Sequence, residues 1–441
     1  MGTIDLVPAA DSAGMSSNGF IPQSLRRFAG SLSVTLAGQA LLLCGLFLVT
    51  RISVHAFGAE GFGQYQVARR TLAVVAFPLM CGLGISLPRY IARDIAEIGE
   101  VTKWMVSSIA LATMVVFGFL LLGIAGFEQI GQWTFGTGSE HRLVLSLLIA
   151  ATGMFCATLA TAAMRGLSRF HLAALLQVVN GAFVPLIAVL LAAGRVERAL
   201  LISGGLWIVI AAIVFFCLSR EWESSALTAH SVWGAVKELF IFGLPRVPGD
   251  IALFGLFALP AYAAVHRNDI LGAGFLSVGL SLVQAIATAF ASAGFVLLPY
   301  WSRAARSSNS LAIARKRTVK LIIVSCLVST MLLGLLEIFL LPVVRLLLGP
   351  LAMAGIHSIR YVMLAAVPYV LYLVLRDYFD ALTVFPLNTI ALGVAILAQF
   401  ALINVRQLSV PVATAISFLV LGLTMLVLWV IPMRHLDTAS D

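Results

Sequence analysis

The chain has 441 residues, of which 61% are hydrophobic and only 11% charged, with a net charge of +9 and a mean hydropathy of +1.04. A water-soluble domain carries about 25% charged residues, so a sizeable soluble domain is excluded and the chain reads as an all-α polytopic membrane protein. In a soluble chain the positive balance would point to nucleic acid. Here no basic run is interleaved with exposed aromatics, and the excess fits the cytoplasmic loops of a membrane protein.

Residues 1–24 are polar and rich in Ser, Gly and Ala, which predicts a disordered cytoplasmic N-terminus followed by a first span that serves as an uncleaved signal anchor. With about 20 apolar residues to a span, the sequence predicts spans at 30–53, 65–88, 104–126, 143–164, 172–194 and 199–219. A polar cytoplasmic linker over 220–236 follows. The second set falls at 240–265, 273–298, 318–342, 358–376, 384–404 and 410–432, before a short cytoplasmic tail over 433–441. Lys and Arg are about twice as frequent on the side that holds both termini, mostly through the loop from Arg303 to Lys320, which predicts that both termini are cytoplasmic. The five cysteines, Cys44, Cys81, Cys156, Cys217 and Cys326, lie singly in apolar runs without a C-x-x-C pair, against disulfide or metal chemistry.

Shifting the sequence by 211 positions superposes Gly61 and Gly63 on Gly272 and Gly274, Leu87-Pro88 on Leu298-Pro299, and Arg165 on Arg376. The shared offset predicts two six-span halves, an N-lobe over 25–219 and a C-lobe over 237–432. An even number of spans per half makes the repeats parallel, with a substrate cleft between them.

Ionisable residues within spans cost about 2.5–3.5 kcal/mol on insertion scales and mark cavities or partners. Arg69 and Arg70 read as about one turn into the second span, either lining a cavity for an anionic group or snorkelling to the outer interface. Arg246 and Asp250 share a helix face at i, i+4 in a segment broken by Pro245, Pro248 and Gly249. They form either a local ion pair or a cavity lining in which Arg246 meets an anion and Asp250 takes a proton or cation. Gln39 is the repeat equivalent of Asp250, and Gln284 either donates to a sugar hydroxyl or makes an interhelical hydrogen bond. Arg165, Arg169, Arg376, Asp377 and Asp380 gather at the inner ends of the fourth and tenth spans, as an inner gate or as ordinary positive-inside charge. No P-loop and no metal-ligand spacing occurs, so no cofactor or metal is expected. The outer loops near 127–142 and 343–357 carry no acid–base pair, which argues against a membrane-embedded glycan polymerase or acyltransferase.

Residues 57–65, Phe-Gly-Ala-Glu-Gly-Phe-Gly-Gln-Tyr, and 82–93, Gly-Leu-Gly-Ile-Ser-Leu-Pro-Arg-Tyr-Ile-Ala-Arg, resemble the first outer turn and second span of polysaccharide and O-antigen flippases. Residues 164–170, 237–245 and 346–349 are similar to the same family, which belongs to the multidrug/oligosaccharidyl-lipid/polysaccharide exporter superfamily. The resemblance implies about twelve transmembrane helices in two six-helix lobes of MATE-like form, in the bacterial inner membrane. It implies alternating access around a cationic cavity, in which Arg69, Arg70 and Arg246 would hold an undecaprenyl-diphosphate-linked oligosaccharide destined for surface polysaccharide. Membrane lipids and other polysaccharide-assembly membrane proteins would be its partners, and nucleic acid would not. The lipid II flippases of the superfamily usually carry two further spans that this chain lacks. A drug/cation antiporter of the same fold is the rival, but such a site needs carboxylates in the cavity, and here intramembrane arginines outnumber them.

Overall fold

The computed structural model describes residues 23–95, 97–136, 141–220, 222, 228–304, 308–382, 387–405 and 408–430. The expected disordered N-terminus and cytoplasmic tail therefore lie almost wholly outside the described residues. What is described is helical, and no strand occurs among these residues.

The first helix, α1 (Gln23–Leu79), is 57 residues long, with one non-helical residue, Gly58, at φ 68° and ψ −171°. Drawn straight it would measure about 86 Å, nearly three times the roughly 30 Å hydrocarbon core. It does not run straight: Leu42 and Phe77 border the same cavity of about 470 Å³, and the rings of Phe57 and Tyr65 lie 5.3 Å apart. The chain reverses at Gly58, where only a residue without Cβ adopts such a backbone cheaply. The expected outer turn over 54–64 thus shrinks to one residue, because Glu60, Gly61, Gly63 and Gln64 are already helical.

Beyond α1, α2 (Leu83–Arg93) completes the second span after a break that includes Cys81 at φ 46°. The third span is α3 (Ile98–Ala125), followed by the short α4 (Phe127–Phe135), and α5 (His141–Gly166) is the fourth. The fifth span consists of α6 (Phe170–Val178), a π turn over Val179–Phe183, and α7 (Val184–Leu191); α8 (Val196–Ser219) is the sixth.

The seventh span begins with α9 (Ala229–Gly243), inside the stretch expected to be linker. Thr228 and Ser231 form a reciprocal capping box that starts the helix there. A 3₁₀ turn, Leu244–Arg246, at the expected proline break leads to α10 (Val247–His266). The two halves of this span dock differently. On α9, the Val232 carbonyl accepts from Ser107 Oγ (3.1 Å) and Phe242 lies under Arg89, both on the N-lobe. On α10, the Leu256 carbonyl accepts from Gln399 Nε2 (3.2 Å) in the C-lobe.

The remaining helices are α11 (Ile270–Ala304), α12 (Ser308–Ile338), α13 (Leu340–Leu348), α14 (Ala352–Met363), α15 (Ala366–Leu382), α16 (Leu387–Asn404) and α17 (Val410–Val430). The tenth span, expected over 358–376, instead runs from Ala352 through a break at Leu364–Ala365.

Among the described residues, eleven helices are long and apolar enough to cross a membrane. One of them, Ala37–Leu79, folds back at Gly58 and counts twice, which makes twelve crossings in two lobes. The short helices α4 and α13 occupy matching places in the two halves.

The lobes meet along the second arm of α1 and along α11. Gly63 and Gly274, also related by the offset, sit in this seam: a Cβ at Gly63 would lie 2.2 Å from the Ile270 carbonyl oxygen, and one at Gly274 2.8 Å from the Phe62 ring. Replacing Gly63 by alanine is expected to push the two backbones apart and to destabilise by about 1–3 kcal/mol, as overpacking does. Gly118→Ala, where a Cβ would have nothing within 4 Å, serves as control. Thermal unfolding in detergent checks this; equal melting points for both variants and wild type would show that the seam is not tightly packed.

Candidate functional site, a cationic cavity between the lobes

The cavity lies against both arms of α1 and reaches across to α10 and α11. Arg69 stands eleven residues beyond the reversal at Gly58, so it is about 16 Å along the helix from it. Arg69 and Arg70, expected about one turn into the second span, lie about three turns beyond the reversal, because the helix begins earlier than expected. The polar stretch before Tyr65 had hidden nearly two turns of helix.

Arg70 crosses the lobe seam. Its Nη2 donates to the Ser277 carbonyl (2.6 Å) and to Ser281 Oγ (2.9 Å), and its Nη1 donates to Gln284 Oε1 (3.3 Å). All three acceptors are on α11, and Ser281 is the repeat equivalent of Arg70. The guanidinium also lies 6.0 Å from the centre of the Phe257 ring. Arg69 points into the cavity with its guanidinium 5.9 Å from the ring of Tyr65, one turn back on the same helix. Arg165, expected at an inner gate, borders this same cavity from the end of α5. Gln284 borders it too and makes an interhelical bond, accepting from Arg70.

The other expected residues stand apart. Asp250 is half-buried in the first turn of α10, where a carboxylate complements the positive end of a helix. Neither Asp250 nor Gln39 is among the residues lining the cavity. Arg169 is exposed at the start of α6, and Arg376 is half-buried on α15 with its carbonyl accepting from Asn388 Nδ2 (3.2 Å). The side chains of Arg246, Asp377 and Asp380 lie outside the described residues.

Several polar lining residues went unnoticed in the sequence, among them Gln66, Gln177, Asn180 and Trp207. Asn180 sits in the π turn, and its surroundings follow from local chemistry. The Val184 N–H bonds to the Val179 carbonyl, five residues back. The next donor that could serve the Asn180 carbonyl is residue 185, a proline, which has no N–H. That carbonyl accepts instead from Trp207 Nε1 on α8, at 2.9 Å. The signal in the sequence was Pro185 five residues after Asn180, but the donor comes from another helix. π turns of this kind occur frequently at functional sites.

Taken together, the cavity wall carries three arginines and, among the described residues, no carboxylate. No family model matches the sequence, and no curated protein matches it either. Solved structures do. An inward-facing multidrug resistance MATE family transporter of the MOP superfamily superposes with a TM-score of 0.72 at 14% identity, covering 93% of this chain and 100% of that one. The chain has the MATE fold. An outward-facing MATE transporter gives a TM-score of 0.62 at 14% identity, covering 93% of this chain and 97% of that one. The lipid II flippase MurJ, in an inward closed conformation, gives 0.66 at 15% identity, covering 89% and 86%.

Replacing Trp207 by phenylalanine should leave the Asn180 carbonyl without a donor and destabilise the protein by about 1–3 kcal/mol, the cost of an orphaned buried acceptor. Trp233→Phe, at an exposed position on α9, should be neutral. A Trp207→Phe protein that melts with wild type in detergent would mean that this hydrogen bond does not hold the π turn in place.

Proposed function

We propose that the protein is a flippase that carries an undecaprenyl-diphosphate-linked oligosaccharide across the bacterial inner membrane for surface polysaccharide assembly. The observation that carries this reading is the lining of the cavity, with Arg69, Arg70 and Arg165 and no described carboxylate. Guanidinium stays charged at any physiological pH and binds phosphate oxygens in a planar fork. A cavity with this lining selects anions and repels cationic drugs.

The three cations have different work in this reading. Arg70 has acceptors from α11 on both of its terminal nitrogens, so it ties the lobes together. Arg69 and Arg165 are the groups that meet the diphosphate. The polyprenyl tail stays in lipid while the head group passes between an N-lobe over 25–219 and a C-lobe over 237–432, with both termini cytoplasmic. The membrane-embedded assembly proteins that make and use the glycan are the partners. The better superposition on an inward-facing than on an outward-facing transporter, 0.72 against 0.62, supports loading from the cytoplasmic side in this conformation. The likeness to a lipid II flippase is consistent with a lipid-linked cargo, and the likeness to multidrug transporters keeps a drug/cation antiporter as the alternative reading.

Reconstituted in liposomes, wild type should expose a fluorescent polyprenyl-diphosphate oligosaccharide on the far side. Arg69→Gln and Arg165→Gln should each slow that exposure at least tenfold, about 1.4 kcal/mol, while inserting and melting normally. If the label stays put under every imposed ion gradient and cationic dyes move instead, the antiporter reading replaces this one.

A further inference from the structure

Two side chains of the cavity, the buried Gln66 and the half-buried Asn180, each carry a buried polar atom that nothing in the protein satisfies. Gln66 is only 4% exposed, yet its Nε2 has no acceptor. Asn180 Oδ1 is buried and has no donor. Both residues line the cavity. An unpaired buried amide atom is costly and uncommon in a native protein, and a membrane interior offers no bulk water to offset it. One orphan is a donor and the other an acceptor. A charged group would pair with only one of them, whereas hydroxyl groups, which both donate and accept, satisfy the two together.

The surroundings complete a recognition surface. Gln66 lies three and four residues before Arg69 and Arg70, so it shares their helix face about one turn away. Trp207, 6% exposed, is held in the wall by its bond to the Asn180 carbonyl, and its indole can offer an apolar face to a sugar ring. Thr161 Oγ1 donates back to the Ala157 carbonyl at 2.9 Å, which leaves its lone pairs as acceptors.

From these observations we infer that Gln66, Asn180 and Trp207 form a subsite for an uncharged, hydroxyl-bearing sugar, beside the arginines and on the N-lobe wall. The inference rests on the flippase reading and adds to it: the arginines hold the diphosphate, and the amides and the indole read the sugar attached to it. Specificity for the glycan then lies in the N-lobe. Sites built to hydrogen-bond a ligand hydroxyl discriminate strongly against ligands that lack it, because their own polar groups are left unpaired.

The test uses the full-length protein in detergent and two probes, a prenyl diphosphate and the same prenyl diphosphate carrying one neutral hexose, with affinity measured by quenching of tryptophan fluorescence. Wild type should bind the hexose probe roughly tenfold more tightly, the yield of two neutral hydrogen bonds. Gln66→Leu and Asn180→Leu should each lose most of that preference while keeping wild-type affinity for the bare diphosphate. Arg69→Gln should weaken both probes and keep the preference. Because Asn180 lies in a packed turn, Gln66→Leu, which is close to isosteric, is the deciding variant, and its melting point is measured alongside.

The subsite is refuted if wild type binds both probes equally or if a folded Gln66→Leu protein retains the preference. It is also refuted if Gln66→Leu weakens both probes to the same degree, since that marks a general packing role. If wild type binds neither probe, the flippase reading itself fails, and the sugar subsite fails with it.

Discussion

A guanidinium inside a membrane-spanning helix must have water or partners, and the fold is arranged around that requirement. Arg70 finds its partners on the opposite lobe: a carbonyl, a hydroxyl and a side-chain amide, all from α11. None of the three is charged, so the arginine keeps its positive charge while its donors are used. The acceptors come within reach only because the two lobes approach at Gly63 and Gly274, where a side chain on either glycine would strike the other lobe. A close seam and a buried cation are therefore one structural feature. The seam brings α11 near enough to solvate Arg70, and Arg70 anchors the seam beside the cavity.

The same logic assigns different work to the neighbouring arginine. Arg69 differs from Arg70 by one position, about 100° around the helix. That rotation turns it from the seam to the cavity, where its described aromatic neighbour is Tyr65. Adjacent identical residues thus become a structural tie and a ligand group. Arg165 joins Arg69 from the end of α5, and the absence of carboxylates among the described lining residues gives the cavity one sign.

Helix seven shows how the two lobes are joined as well as separated. Its first half, α9, docks on α3 of the N-lobe through Ser107 and the Val232 carbonyl, and its second half docks on α16 of the C-lobe through Gln399. The 3₁₀ turn Leu244–Arg246 lies between them. The prolines at 245 and 248 were visible as a break. Their position between two differently docked segments was not.

The sequence by itself determined what composition and periodicity can carry: a helical membrane protein, about twelve crossings, an internal offset of 211 residues, and arginines inside spans that need an explanation. These depend on local chemistry, since apolar runs must face lipid and backbone groups must bond within each helix. Only the tertiary structure decided depth and company. The reversal at Gly58 put Arg69 and Arg70 about three turns into the second span, because where a span begins depends on a single φ angle and not on hydropathy. The tertiary structure placed Arg165 on the cavity wall and Asp250 away from it, because the direction a residue faces depends on which helix packs behind it. Gln66, Asn180 and Trp207 were silent in the sequence for the same reason: an amide or an indole in an apolar run marks nothing until another helix supplies, or fails to supply, its hydrogen-bond partner.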